Sequence, residues 1–144
     1  MRRPLAFALV FSVVIVSLGV APAAGRTIGD LMRDGGRKLS KAEVVTLYTG
    51  ATVSGDQIGR PETRFQMVYK PDGSAGGSYT NPSANGTVAG KWSVNEQGQF
   101  CSDLVNSSGG KIQGCSWLFV QAGRYWAART DESTEPLAYR TFAK

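Results

Sequence analysis

The sequence predicts a mainly β protein: a small antiparallel β-barrel or strongly curved meander sheet, with a short N-terminal helix and one disulfide. Three observations carry this reading. From Ala51 onward, turn signals recur about every 8–12 residues between short alternating runs. The connections are short, which favours antiparallel neighbours, and closure of such a sheet removes its edges. Finally, the two cysteines of the chain fall where a single strand register sets them opposite each other.

The elements follow in order. Met1-Arg2-Arg3 is a basic start, and Leu5 to Val20 is an apolar run broken only by Ser12, Ser17 and Gly19. Ala21-Pro22-Ala23 then offers small residues for cleavage, so residues 1–23 are expected to be a secretory signal cut after Ala23. The expected location is periplasmic or secreted, with no stable membrane span after cleavage. Residues 24–38 are expected to form a flexible N-terminal segment. Within it, Ile28, Leu31 and Met32 have the spacing to line one side of a short helix ended by Gly35-Gly36.

Residues 39–144 are expected to form a single β-rich domain, and its first element, a helix over 40–49, has explicit ends. Ser40-Lys41-Ala42-Glu43 is a capping box, and Leu39 with Val44 has the spacing of a hydrophobic staple. Val44, Leu47 and Tyr48 make one apolar stripe, and Gly50 takes the position past the helix end. Two turns of helix do not stand alone, so this helix must dock on the sheet.

Beyond it, Phe65, Met67 and Tyr69 alternate with Arg64, Gln66 and Val68. Pro71-Asp72-Gly73 is a turn, since proline sets φ and glycine takes a positive φ. Asn81-Pro82 and Asn85-Gly86 are expected to mark a loop before a strand over 87–94, with Val88, Trp92 and Val94 in phase. Strands are expected over 99–105, 111–120, 124–129 and 137–142. The 18 glycines are expected at turns rather than in any repeat.

Cys101 and Cys115 bracket Asn106-Ser107-Ser108-Gly109-Gly110. A symmetric hairpin about that loop sets Val105 opposite Lys111, Leu104 opposite Ile112, and Cys101 opposite Cys115. Cysteines directly opposed on neighbouring strands have a suitable separation for a disulfide. A metal or redox pair is the poorer reading, because no CxxC spacing exists and no histidine is present to complete a zinc set.

Gly90-Lys91-Trp92-Ser93-Val94, Gly98-Gln99-Phe100-Cys101 and Cys115, with Pro71-Asp72-Gly73 and the stretch Ser40 to Val53, resemble a family of small exported proteobacterial proteins catalogued as domain of unknown function 995. That resemblance implies export and a compact β-rich domain, and it brings no activity with it. The glycine, tryptophan and two-cysteine arrangement is also loosely similar to small secreted β-barrel metalloprotease inhibitors. Their inhibitory N-terminal segment has no residue-by-residue match here.

Composition narrows the chemistry. Without histidine, Ser-His-Asp and Cys-His catalysis cannot be built from this chain, and neither catalytic residues, metal ligands nor cofactors are expected. The net charge is +5, of which Arg2 and Arg3 would leave with the signal. The cations are dispersed, with one concentration at Arg33, Arg37, Lys38 and Lys41, so a nucleic-acid partner is not expected. The acids Asp72, Glu62, Asp103, Asp131, Glu132 and Glu135 are expected in solvated loops, although two of them facing across a cleft would suit a carboxylate-based hydrolase.

Aromatics are the remaining candidates. Trp92, Tyr79, Tyr125 and Trp126 are taken as ligand-binding candidates, and the neighbours Tyr125 and Trp126 must point to opposite faces of their strand. The expected function is non-enzymatic binding of a small apolar or envelope-derived molecule, or of an extracytoplasmic protein. The alternative is an inhibitor of a protease or cell-wall hydrolase, acting through Asn81 to Gly86 or Asn106 to Gly110.

Overall fold

A computed structural model of the chain describes residues 25–144. The expected signal segment and its cleavage site lie outside the described residues. The elements are α1 (Ile28–Arg33), β1 (Arg37–Lys38), α2 (Lys41–Tyr48), β2 (Thr52–Gln57), β3 (Arg60–Tyr69), β4 (Ser74–Asn81), β5 (Ala84–Val94), β6 (Phe100–Asn106), β7 (Lys111–Gln121), β8 (Arg124–Ala128) and β9 (Ala138–Ala143).

Strands β2 to β9 run up and down, each antiparallel to the next, and β9 returns to pair with β2. The result is a closed eight-stranded barrel. Side chains of one phase point inward, as Thr63, Met67 and Tyr69 do on β3 while Arg64, Gln66 and Val68 stay exposed. The turns 70–73, 95–99 and 122–123 lie at one end of the barrel. The turns 58–59, 82–83 and 107–110 lie at the other, which forms the mouth.

Helix α2 closes the first end. The Ser40–Glu43 capping box forms as the sequence predicts, Gly50 takes φ +73°, and Leu39, Val44 and Tyr48 are buried in the barrel core. Tyr48 reaches furthest in. Its ring stacks on Phe100 with centroids 4.0 Å apart and meets Tyr69 and Phe142 edge-on at 5.1 Å each. The helix end is tied to the barrel by Lys144 Nζ, which donates to the Thr46 carbonyl at 2.7 Å.

The segment expected to be flexible is, from Arg26, built into the fold. Thr27 and Asp30 form a second capping box that starts α1, a signal the sequence reading passed over. Ile28 and Leu31 pack with Phe119, Trp126 and Ala128 on the outer wall, whereas Met32 is 48% exposed. Strand β1 then pairs with Val120 and Phe119 of β7 and leads Leu39 into the closed end.

One boundary and the placement of the glycines differ from expectation for local reasons. The expected loop Asn81 to Gly86 is a tight hairpin. The Asn81 carboxamide oxygen accepts from the Ser83 and Ala84 amides, so the chain reverses at once and Asn85 and Gly86 already pair with Thr80 and Tyr79. Nor are the glycines confined to turns: Gly55, Gly77 and Gly90 lie inside strands.

The cysteine hairpin has the predicted register, with Cys101 opposite Cys115, Leu104 opposite Ile112 and Val105 opposite Lys111, and the disulfide forms. In the chain-entropy description, closing a loop of this length stabilises by about 3 kcal/mol. The link also sits where the wall is thinnest. Strand β8 is only five residues long and pairs with β7 from Trp117 onward. Residues 111–116 of β7 therefore have β6 on one edge and no strand on the other among the described residues.

Both capping carboxylates make folding pH-dependent. Hydrogen bonds, the largest from the Thr27 backbone, hold Asp30 at about 2 against an ordinary 3.8. For Glu43 the bond from Arg37 leads, followed by those from Ser40, and the carboxyl is held at about 2 against 4.5. A depressed folded-state value contributes stability above the unfolded value that is lost as pH falls through the folded one. The melting temperature is expected to drop as pH falls from about 4.5 to about 2. Glu43→Gln is expected to flatten part of that drop, as thermal melts at stepped pH would register.

Candidate functional site

The barrel is not packed solid. Between the α2 plug and the mouth lies a cavity of about 770 Å³, within the range of ligand sites in proteins. Tyr48, Tyr69 and Phe100 form its inner end, and Phe65, Met67, Val88 and Leu104 line its walls. Toward the mouth the lining turns polar, through Gln57, Asn81, Asn106 and Gln113 at the strand ends. The open-edged part of β7, from Lys111 to Ser116, forms one side and gives the interior a lateral boundary of a single strand edge.

The cavity contains one buried charge. Arg140, on β9, is only 6% exposed. Its Nη1 donates to the Asp56 carbonyl at 2.6 Å and to the Tyr139 carbonyl at 2.8 Å, and its guanidinium lies 4.9 Å from the Phe65 ring centroid. Gly55 pairs directly opposite Arg140, and a Cβ at Gly55 would meet Nη1 at 2.9 Å and Cδ at 3.2 Å. The missing side chain is what leaves room for the arginine to lie across β2.

Electrostatics at the inner end follow from burial. Desolvation draws the Arg140 pKa below its ordinary value, while the Asp56 carboxylate acts in the opposite direction. A guanidinium stays protonated at neutral pH regardless. Burial pushes the Tyr48 hydroxyl up to about 12 and raises Tyr69 as well, so both are neutral donors beside the cation.

Of the aromatics singled out in the sequence, Tyr79 lines the cavity. Trp92 is packed near the plug against Tyr48, Tyr69 and Phe100, with its indole N–H donating to the Lys70 carbonyl at 2.9 Å. Tyr125 and Trp126 do point to opposite faces. Tyr125 packs on Phe142 and borders an outer groove beside α2, whereas Trp126 is buried under α1 with Arg26 over its ring at 5.0 Å.

Three of the acids considered for hydrolysis have other partners. Asp72 accepts from the Ser74 amide and hydroxyl, Asp103 accepts from Gln113, and Asp131 pairs with Lys38. The basic cluster is likewise engaged: Arg33 with Asp30, Arg37 with Glu43, Lys38 with Asp131 and Lys41 with Glu96.

Sequence reading missed Arg140. A signal existed, because Ala138, Arg140 and Phe142 share one phase of an alternating run. The opposite phase, Leu137, Tyr139 and Thr141, is equally apolar, so nothing in the run itself says which set faces in.

Known protein families, curated proteins and solved structures give no match to this chain.

Proposed function

We propose that the protein is an extracytoplasmic carrier or receptor that holds one small, largely apolar molecule inside its barrel. The cavity itself carries the reading. An eight-stranded barrel is wide enough either to fill with side chains or to hold one small ligand. Here aromatic and aliphatic walls surround open volume, with a helix sealing one end and polar residues ringing the other. The disulfide and the secretory pattern of residues 1–23 support an oxidising compartment. An inhibitor would instead call for a packed interior and a projecting loop, and the 82–83 turn is a tight hairpin.

The test is titration of the oxidised protein with N-phenyl-1-naphthylamine, a neutral dye that brightens in apolar surroundings. One saturable site per chain is expected. Ser102 lines the cavity wall opposite Gly114, so Ser102→Phe is expected to occupy part of the volume and weaken dye binding at least about tenfold, with stability changed by no more than about 1 kcal/mol. Absence of saturable binding, or a Ser102→Phe protein that binds as the parent does, would overturn the reading.

A further inference from the structure

We propose that the occupant of this cavity is an anionic amphiphile, with one carboxylate or comparable anionic group seated on Arg140 and an apolar or aromatic body along Phe65, Met67, Val88 and Leu104. The inference rests on the carrier reading and gives it a ligand class.

Three observations converge on it. First, Arg140 is a buried cation that faces the cavity and makes no ion pair among the described residues. Its bonds go to two backbone carbonyls, and the nearby Asp56 carboxylate lies 3.7 Å from Arg64 instead. A buried charge without a direct ion-pair partner is costly, and a guanidinium is shaped to grip a carboxylate with two parallel hydrogen bonds.

Second, every charged residue lining the cavity is a cation: Arg60, Lys111, Arg129 and Arg140, with no acid among them. The first three are exposed around the mouth. A low-dielectric opening ringed by one sign of charge concentrates and steers the opposite sign. Third, Tyr48 and Tyr69 line the same cavity as Arg140, and a phenol hydroxyl can donate to an oxyanion. Gly55 leaves the space across which the guanidinium lies. An arginine serving only as a strut between β2 and β9 would need neither the cationic mouth nor a cavity in front of it.

Two dyes sharing one body separate the claims: neutral N-phenyl-1-naphthylamine and anionic 8-anilinonaphthalene-1-sulfonate, each titrated into the oxidised protein. The sulfonate is expected to bind about tenfold to a hundredfold more tightly, the size of one buried charge-assisted contact. Arg140→Gln is expected to remove that preference, so that the two dyes bind alike, and Arg140→Lys to keep part of it. Dodecanoate should displace the bound sulfonate dye where dodecanol does not, which distinguishes a carboxylate ligand from a merely apolar one. Equal affinities for the two dyes in the parent protein, or displacement by dodecanol as good as by dodecanoate, would overturn the anion assignment while the carrier reading stands. Failure of both dyes to bind would overturn the carrier reading and the assignment with it. If Arg140→Gln does not fold, the parent dye ratio, Arg140→Lys and the competition pair still decide.

Discussion

Tyr48→Ala is expected to lower the unfolding free energy by about 3–5 kcal/mol, the range for removing a large ring from a core. A domain of this size has about 5–15 kcal/mol in total, so the variant should sit close to its threshold. The physical reason is the position of the ring. Tyr48 is 2% exposed, stacks on Phe100, and touches Tyr69 and Phe142 edge-on. It thus joins a two-turn helix, which is unstable by itself, to strands β3, β6 and β9. Removing it takes away the aromatic contacts and leaves a void continuous with the cavity, which neighbouring side chains cannot refill without moving the helix. Tyr48→Phe keeps the ring and loses only the hydroxyl facing Arg140, so it is expected to cost about 1 kcal/mol or less. Urea unfolding of the three proteins at neutral pH checks this. If alanine is tolerated as well as phenylalanine, the plug is held by something other than its ring.

The contrast between α2 and the cavity explains how much of this molecule was legible beforehand. A helix cap is a relation among four consecutive residues, so Ser40 and Glu43 announce it wherever the rest of the chain goes. The cysteine register is nearly as local, since a symmetric loop between Val105 and Lys111 fixes everything outward to Cys101 and Cys115. Closure is different. The pairing of β2 with β9 joins Val53 to Phe142 across almost the whole domain, and no short run of residues encodes that partner. Whether the interior is filled is harder still. Phe65, Met67 and Tyr69 alternate in the same way whether their side chains meet others or face open space, because alternation reports only which side of the sheet a residue occupies. Arg140 was hidden for that reason, and so was the role of the glycines, whose effect depends on which neighbouring backbone lies beneath them.

That last dependence gives the second large expectation. Gly76 and Gly77 are neighbours on β4, yet alanine is expected to be tolerated at the first and to destabilise by about 3 kcal/mol at the second. A Cβ at Gly76 would find only the Val88 carbonyl at 3.7 Å, an ordinary contact. At Gly77 it would run into the Gln66 carbonyl and approach Met67 Cα to 2.8 Å, and Gly90 on β5 stands in the same relation to the Asp103 carbonyl and Leu104 Cα. Those obstacles are backbone atoms of an adjacent strand, so no rotamer change relieves them; the strands themselves must separate. Gly77 and Gly90 are in phase with the inward residues Ala75 and Val88. They occupy points where the sheet bends sharply to close, the use that glycine kinks have in small barrels. Gly77→Ala and Gly90→Ala should therefore both lower the urea midpoint strongly. Gly76→Ala and Gly114→Ala, the latter with nothing within 4 Å of its added carbon, should stay within about 0.5 kcal/mol of the parent. Equal effects at Gly76 and Gly77 would mean that loss of backbone freedom, shared by both sites, outweighs the collision that only one of them meets.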